Sequence, residues 1–171
     1  MRVKIISYSI LIFIMALLQS TVFNYIKIFD VKPNLLLILI VTVALLTNDI
    51  EGAAIGFFSG LVQDMASGKV LGFYALLGMY LGFSIGAMNK RLNRENILIL
   101  LFFTFVSSII YEYFVYLLNS IVRGTVDLIY PFRHLILTEA LYNCGVSVLI
   151  FAVVLKLNRW FVSMDKTLRK Y

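Results

Sequence analysis

Charge is scarce in this chain. Acidic and basic residues make up 14% of its 171 positions, against roughly 25% in a soluble domain. With 61% hydrophobic residues and a mean hydropathy of +0.95, that scarcity excludes a water-soluble globule and implies a single-domain integral membrane protein. Cysteine occurs once, as Cys144 in an apolar run, which excludes an internal disulfide and a thiolate metal site. Histidine also occurs once, as His134, with no nucleophile near it in sequence from which a Ser-His-Asp set would be built. The sequence has no HExxH pattern and no GK[ST] phosphate loop. Its acids stand singly and are not paired at helical spacing. These absences lead us to expect no enzyme, no metal and no cofactor.

The formal net charge of +6 would suggest nucleic acid in a soluble protein. Here the basic residues flank apolar runs, so their meaning is topological and no nucleic-acid partner is expected. Six apolar segments are predicted as helices: about 5–23, 33–47, 52–65, 70–88, 96–119 and 135–155, followed by a short basic tail over 156–171. The first begins with Arg2 and Lys4 and has no small-x-small cleavage site after it, so it reads as a membrane helix and not as a removed signal. Pro33 suits a first helical turn. The second and third segments are short for a hydrocarbon core that needs about 20 residues, and they are either spans or a re-entrant hairpin.

With the amino terminus inside, the inner segments carry Arg2, Lys4, Lys90, Arg91, Arg94, Lys156, Arg159, Lys166, Arg169 and Lys170. The outer segments then carry Lys27, Lys32, Lys69, Arg123 and Arg133. This asymmetry predicts that both termini are cytoplasmic. The tail "KLNRWFVSMDKTLRKY" spaces Trp160, Met164 and Leu168 by four among basic residues. It reads either as an interfacial helix near anionic lipid or as a plain basic stop.

Glycine is concentrated. "EGAAIGFFSGLVQDMASGKVLG", residues 51–72, holds five of the ten. Gly52, Gly56 and Gly60 are spaced by four, as are Gly78, Gly82 and Gly86, so each set lies along one helix face. In lipid, helices associate through close packing that small residues permit. The two ridges therefore predict contact between the third and fourth segments. Three acids fall at one end of the predicted bundle: Asp64, Glu112 and Glu139. Asp64 alone reads as a solvated helix end or a cap. An acid at membrane depth is a candidate site by default, and Glu112 and Glu139 have Arg133, Arg123, His134, Tyr111, Tyr142 and Asn143 as candidate partners. The outer polar cluster expected from this reading is Asp64, Glu112, Arg133, Glu139 and Asn143; the other reading is that each acid is separately paired to hold the bundle.

The order "LLQST", "KPNLLLILIVTVALL", a short polar turn and "EGAAIGFFSGLVQDMASGKVLGFYALLGMYLG" resembles the MreD family of rod shape-determining proteins over roughly residues 15–90. The family often has an acid directly after the proline of its second helix, where this chain has Asn34. The resemblance implies an all-α, six-helix bundle similar to the substrate-binding components of energy-coupling-factor transporters. It also implies a non-enzymatic membrane scaffold in the bacterial cell membrane, serving cell elongation and peptidoglycan synthesis. Its partner would be an MreC-like protein, with MreB filaments and a RodA-type glycosyltransferase and its transpeptidase reached indirectly. The alternative is a substrate-binding subunit of a vitamin transporter. Such subunits have an alanine-rich first helix, whereas this one has only Ala16.

Overall fold

A helix that is hydrophobic all round has no face to give to water. "LLLILIVTVALL" is such a segment, and in the computed structural model every residue from Leu35 to Leu46 is buried. The structure describes residues 2–25, 31–68, 71–89, 95–123 and 136–168. Its helices are α1 (Arg2–Ser20), the single turn α2 (Val22–Tyr25), α3 (Leu35–Leu46), α4 (Asp49–Ser67), α5 (Phe73–Met88), α6 (Ile97–Arg123) and α7 (Leu137–Leu168). Leaving α2 aside, these are six helices among the described residues, and α3 is the axis, touching α1, α4, α5, α6 and α7.

A buried helix must still satisfy the first N–H and last C=O groups that it cannot bond internally. At its start, Asn34 accepts from Leu37 N at 3.1 Å, and Gln19 at the end of α1 accepts from Leu36 N at 3.2 Å. At its finish, Asn89 Nδ2 donates to the Leu45 carbonyl, and Asn158 Nδ2 of α7 donates to the Leu46 carbonyl at 3.2 Å. Amide side chains from four different places in the chain thus close both ends of one helix.

Asn48 opens α4 by accepting from Glu51 N at 2.9 Å, and Gly68 closes it in the left-handed region at φ 63°. The antiparallel pair α4 and α5 is the tightest in the fold. A Cβ on Gly52 would stand 2.6 Å from the Gly82 carbonyl oxygen, and one on Gly78 2.5 Å from that of Gly56. Farther along the ridges, Gly60 faces the Tyr74–Ala75 backbone and Gly86 faces Asp49. Gly52 and Gly56 thus meet Gly82 and Gly78 directly, while Gly60 meets backbone of α5 and no glycine.

Polarity is inverted relative to a soluble protein. Thr42, Ser59, Thr104, Ser107, Ser108, Asn143 and Ser147 are buried, while Ile5, Phe13, Leu98, Phe102 and Leu149 are exposed. Three helices are long and apolar enough to cross a membrane, over Val3–Ser20, Ile97–Ser120 and Leu137–Ser163, and most of each points outward. At 12 residues, α3 is about 18 Å long, shorter than the roughly 30 Å hydrocarbon core.

Helix boundaries depart from the apolar runs for local reasons. The first helix stops at Ser20, where Ser20 and Thr21 hydroxyls donate to the Ala16 and Leu17 carbonyls and compete with helix continuation. The last does not end near residue 155. It continues unbroken to Leu168, because "KLNRWFVSMDKTL" has no glycine or proline to stop it. Lys156, Arg159 and Trp160 therefore lie within α7, and Phe161 packs on Tyr8 of α1 with ring centroids 5.8 Å apart.

Candidate functional site

Successive helices run in alternate directions. That brings the end of α1, the start of α3, the end of α4, the start of α5, the later turns of α6 and the start of α7 to one end of the bundle. There they enclose a cleft of about 330 Å³.

Two acids face each other in it. Glu112 of α6 and Glu139 of α7 both line it, near enough for their carboxyls to act on each other. Asn34 Nδ2 makes a longer contact of 3.4 Å to Glu112 Oε1. Asn34 is itself fixed: its backbone N–H donates to Asn143 Oδ1 at 2.8 Å, and Asn143 Nδ2 donates to Ser108 Oγ at 3.0 Å. The start of α3 thus ties α6 to α7 beneath the carboxyl pair. Lys32, also lining the cleft, acts electrostatically on Glu139.

The opposite wall carries amides and phenols. Gln19 spends its oxygen on Leu36 N, and Gln63 spends its oxygen on the Tyr111 hydroxyl at 3.2 Å. Tyr74 stacks at a tilt on Tyr111, with centroids 6.1 Å apart. Carboxyl, amide and phenol groups give the cleft both donors and acceptors for a polar ligand.

Of the acids singled out in the sequence, the structure brings Glu112 and Glu139 together with Asn143 close below. Asp64 stands apart and is fully engaged. It is 1% exposed and accepts from the backbone N–H groups of Gly72, Tyr74 and Ala75 at 3.0, 3.0 and 3.1 Å. It is neither a solvated end nor a cap on its own helix; it caps the next one. Arg133 and His134 lie outside the described residues. Gln19, Gln63, Ser108, Asn89 and Asn158 were not singled out from the sequence. Their one signal is position, as isolated polar residues within or at the ends of apolar runs. No group of three or more His, Cys, Asp or Glu residues that would hold a metal occurs among the described residues.

Residues 1–161 match the family described as rod shape-determining protein MreD. No curated protein and no solved structure matches the chain.

Proposed function

Because the chain belongs to the MreD family of rod shape-determining proteins, we propose that it is a non-enzymatic membrane scaffold that binds an MreC-like partner within the cell-elongation machinery. The role in rod-shape determination and the membrane location follow from the family and from the apolar helices. The partner and the mode of binding are the proposal.

One observation carries it. Although α5 and α6 are consecutive, an apolar groove separates them. It is lined by Leu77, Tyr80 and Ser84 on one side and by Ser107, Ile110 and Phe114 on the other, with a volume of about 280 Å³. A second hollow of about 420 Å³ continues it through Met88, Leu98, Phe102 and Phe103. From Leu98 to Phe114 it follows about 24 Å of α6, most of the hydrocarbon thickness. A single transmembrane helix of a partner matches that length, and Ser84 and Ser107 allow close approach. With both termini in the cytoplasm, as the charge asymmetry predicts, the carboxyl-lined cleft faces outward. MreB filaments and the RodA-type synthase would be reached through the partner.

The vitamin-transporter alternative is not favoured. The family is one of shape determination, and α1 has the lone alanine Ala16.

The test is co-purification from membranes with the MreC-like partner, using wild type and a variant whose groove is filled by Ser84→Trp and Ser107→Trp. The wild type should retain the partner and the filled variant should lose it. Failure of the wild type to retain the partner, together with vitamin uptake alongside a coupling subunit, would replace the scaffold by the transporter.

A further inference from the structure

A buried hydroxyl without a partner is uncommon, because leaving it unpaired costs the desolvation of the group. Tyr8 of α1 has one. The residue is 5% exposed, and its hydroxyl has no hydrogen-bond partner among the described residues. Its ring packs on Phe161 of α7, so apolar contact holds the side chain in place without serving the hydroxyl. Tyr8 lines a crevice of about 240 Å³ between α1 and α4, at the end of the bundle opposite the carboxyl-lined cleft.

Helical spacing builds the two walls. Lys4, Tyr8 and Ile12 stand four apart on one face of α1, and Glu51, Ile55 and Phe58 share one face of α4. The crevice is therefore polar at one end and apolar at the other. At its polar end Lys4 Nζ and Glu51 Oε2 form an ion pair at 2.6 Å, with side chains 30% and 36% exposed. The contact lacks the alignment of a hydrogen bond at Oε2, so the carboxylate keeps acceptor capacity and the ammonium keeps donors. One turn deeper stands Tyr8, and beyond it the walls are Ile12, Ile55 and Phe58. From Lys4 to Ile12 the crevice follows about 12 Å of α1, most of the roughly 15 Å depth of one leaflet. Ile5 and Phe58 on its two walls are exposed, so its flank opens toward lipid.

Polar groups at a membrane surface above an apolar slot fit one phospholipid molecule, headgroup up and acyl chain down. Charge selects the headgroup. Among the described residues lining the crevice, Lys4 is the only base and Glu51 the only acid, so the site carries no net charge. A net-negative headgroup would set an unbalanced charge against Glu51, whereas a zwitterion meets both partners. Glu51 also needs a donor, which a primary ammonium supplies and a quaternary one lacks.

We infer that the crevice between α1 and α4 binds one zwitterionic phospholipid with a primary ammonium headgroup, its phosphate on Lys4 and the Tyr8 hydroxyl, its ammonium on Glu51 and an acyl chain along Ile12, Ile55 and Phe58. The headgroup joins the ion pair without breaking it, since Lys4 has three donors and Glu51 two acceptor oxygens. The Tyr8 hydroxyl then donates to a phosphate oxygen and is no longer unpaired. On the topology that the charge asymmetry predicts, the lipid belongs to the inner leaflet. The inference stands apart from the scaffold reading, because the crevice is separate from the α5–α6 groove.

Lipid titration of the purified, delipidated full-length protein tests this. Phosphatidylethanolamine, phosphatidylcholine and phosphatidylglycerol with identical acyl chains are added in turn, and bound lipid is counted by native mass spectrometry. Expected is one tightly held phosphatidylethanolamine, with the other two weaker by about threefold or more. Glu51→Gln should erase the preference over phosphatidylcholine. Tyr8→Phe should weaken all three lipids about threefold, yet leave the lipid-free protein at least as resistant to thermal unfolding, because it removes an unpaired buried hydroxyl. A hydroxyl that serves only the fold gives the reverse pattern. Glu95→Gln, outside the crevice in an exposed pair with Arg159, should leave binding unchanged. In membranes, p-benzoylphenylalanine in place of Phe58 should gain the mass of one phospholipid on illumination. Absence of a retained lipid, equal retention of phosphatidylethanolamine and phosphatidylcholine by wild type, preference for phosphatidylglycerol, or full binding by Tyr8→Phe would each overturn the inference. So would a photo-adduct formed only with a polypeptide, which would assign the crevice to a second copy or another protein. If Glu51→Gln does not fold, the wild-type ranking of the three lipids decides.

Discussion

The Asp64 carboxylate in α4 accepts the backbone N–H of Ala75 in α5 at 3.1 Å. One helix thereby supplies the cap of the next, across a turn built on Gly68 and Gly72 at φ 63° and 94°. A charged acceptor at a helix N-terminus also meets the positive end of its dipole, and its burial leaves no water to replace it.

Asp64→Ala should therefore destabilise the protein by about 2 kcal/mol or more, because it removes a cap and strands buried N–H groups. Asp64→Asn, which keeps one acceptor oxygen, should lose less. Thermal unfolding in detergent, followed by circular dichroism, ranks the two. Equal melting of Asp64→Ala and wild type would refute the cap.

Gly56→Leu should abolish folded yield, since any side chain there meets the Gly78 backbone and drives α4 from α5. Gly145 in α7 has open space where a Cβ would go. Gly145→Ala should be neutral or stabilising by up to about 1 kcal/mol from helix propensity. Size-exclusion yield of the two variants is the measurement, and equal tolerance at both positions would remove the ridge from the account.

Asn158→Leu should cost about 1–3 kcal/mol, because the Leu46 carbonyl then has no donor from α7. Asn96→Leu, which removes an exposed contact to Leu98 N at 2.9 Å, should cost less. Denaturation midpoints compare them, and a smaller loss at Asn158 would show that the end of α3 finds another donor.

Topology is tested separately. Cysteines at Thr125 and Thr167, in a Cys144→Ser background, should react from opposite faces of the membrane with impermeant maleimide, Thr125 from outside. Reaction of both from outside would reverse the cytoplasmic assignment of the carboxyl terminus.

The glycine ridges and the cleft acids Glu112 and Glu139 were legible because spacing by four and charge within apolar runs are local signals. The central place of α3 was legible only as uniform hydrophobicity, which does not say whether lipid or protein surrounds a helix. Partner choice was the least legible. Asp64 reads as an end residue in sequence, yet its partners lie 8, 10 and 11 positions on, in another helix. Asn158 reads as part of a basic tail, yet it serves the end of α3, 112 positions earlier. Hydropathy marks where an apolar run stops. The end of a helix is set by capping chemistry, which is why α7 outlasts its run.

The amides that close α3 impose an order on biogenesis. When α3 leaves the ribosome, the donors for its last carbonyls do not yet exist: Asn89 follows Leu45 by 44 residues, and Asn158 follows Leu46 by 112. Water or lipid headgroups must therefore serve those carbonyls until the later helices arrive, which holds the newborn α3 near a membrane surface. A chain stopped after α6 leaves the Leu46 carbonyl without its α7 donor and the start of α3 without Asn143. Quality control thus has a molecular handle on an unfinished chain: a short, greasy helix with unmet polar ends, visible until the last helix is made.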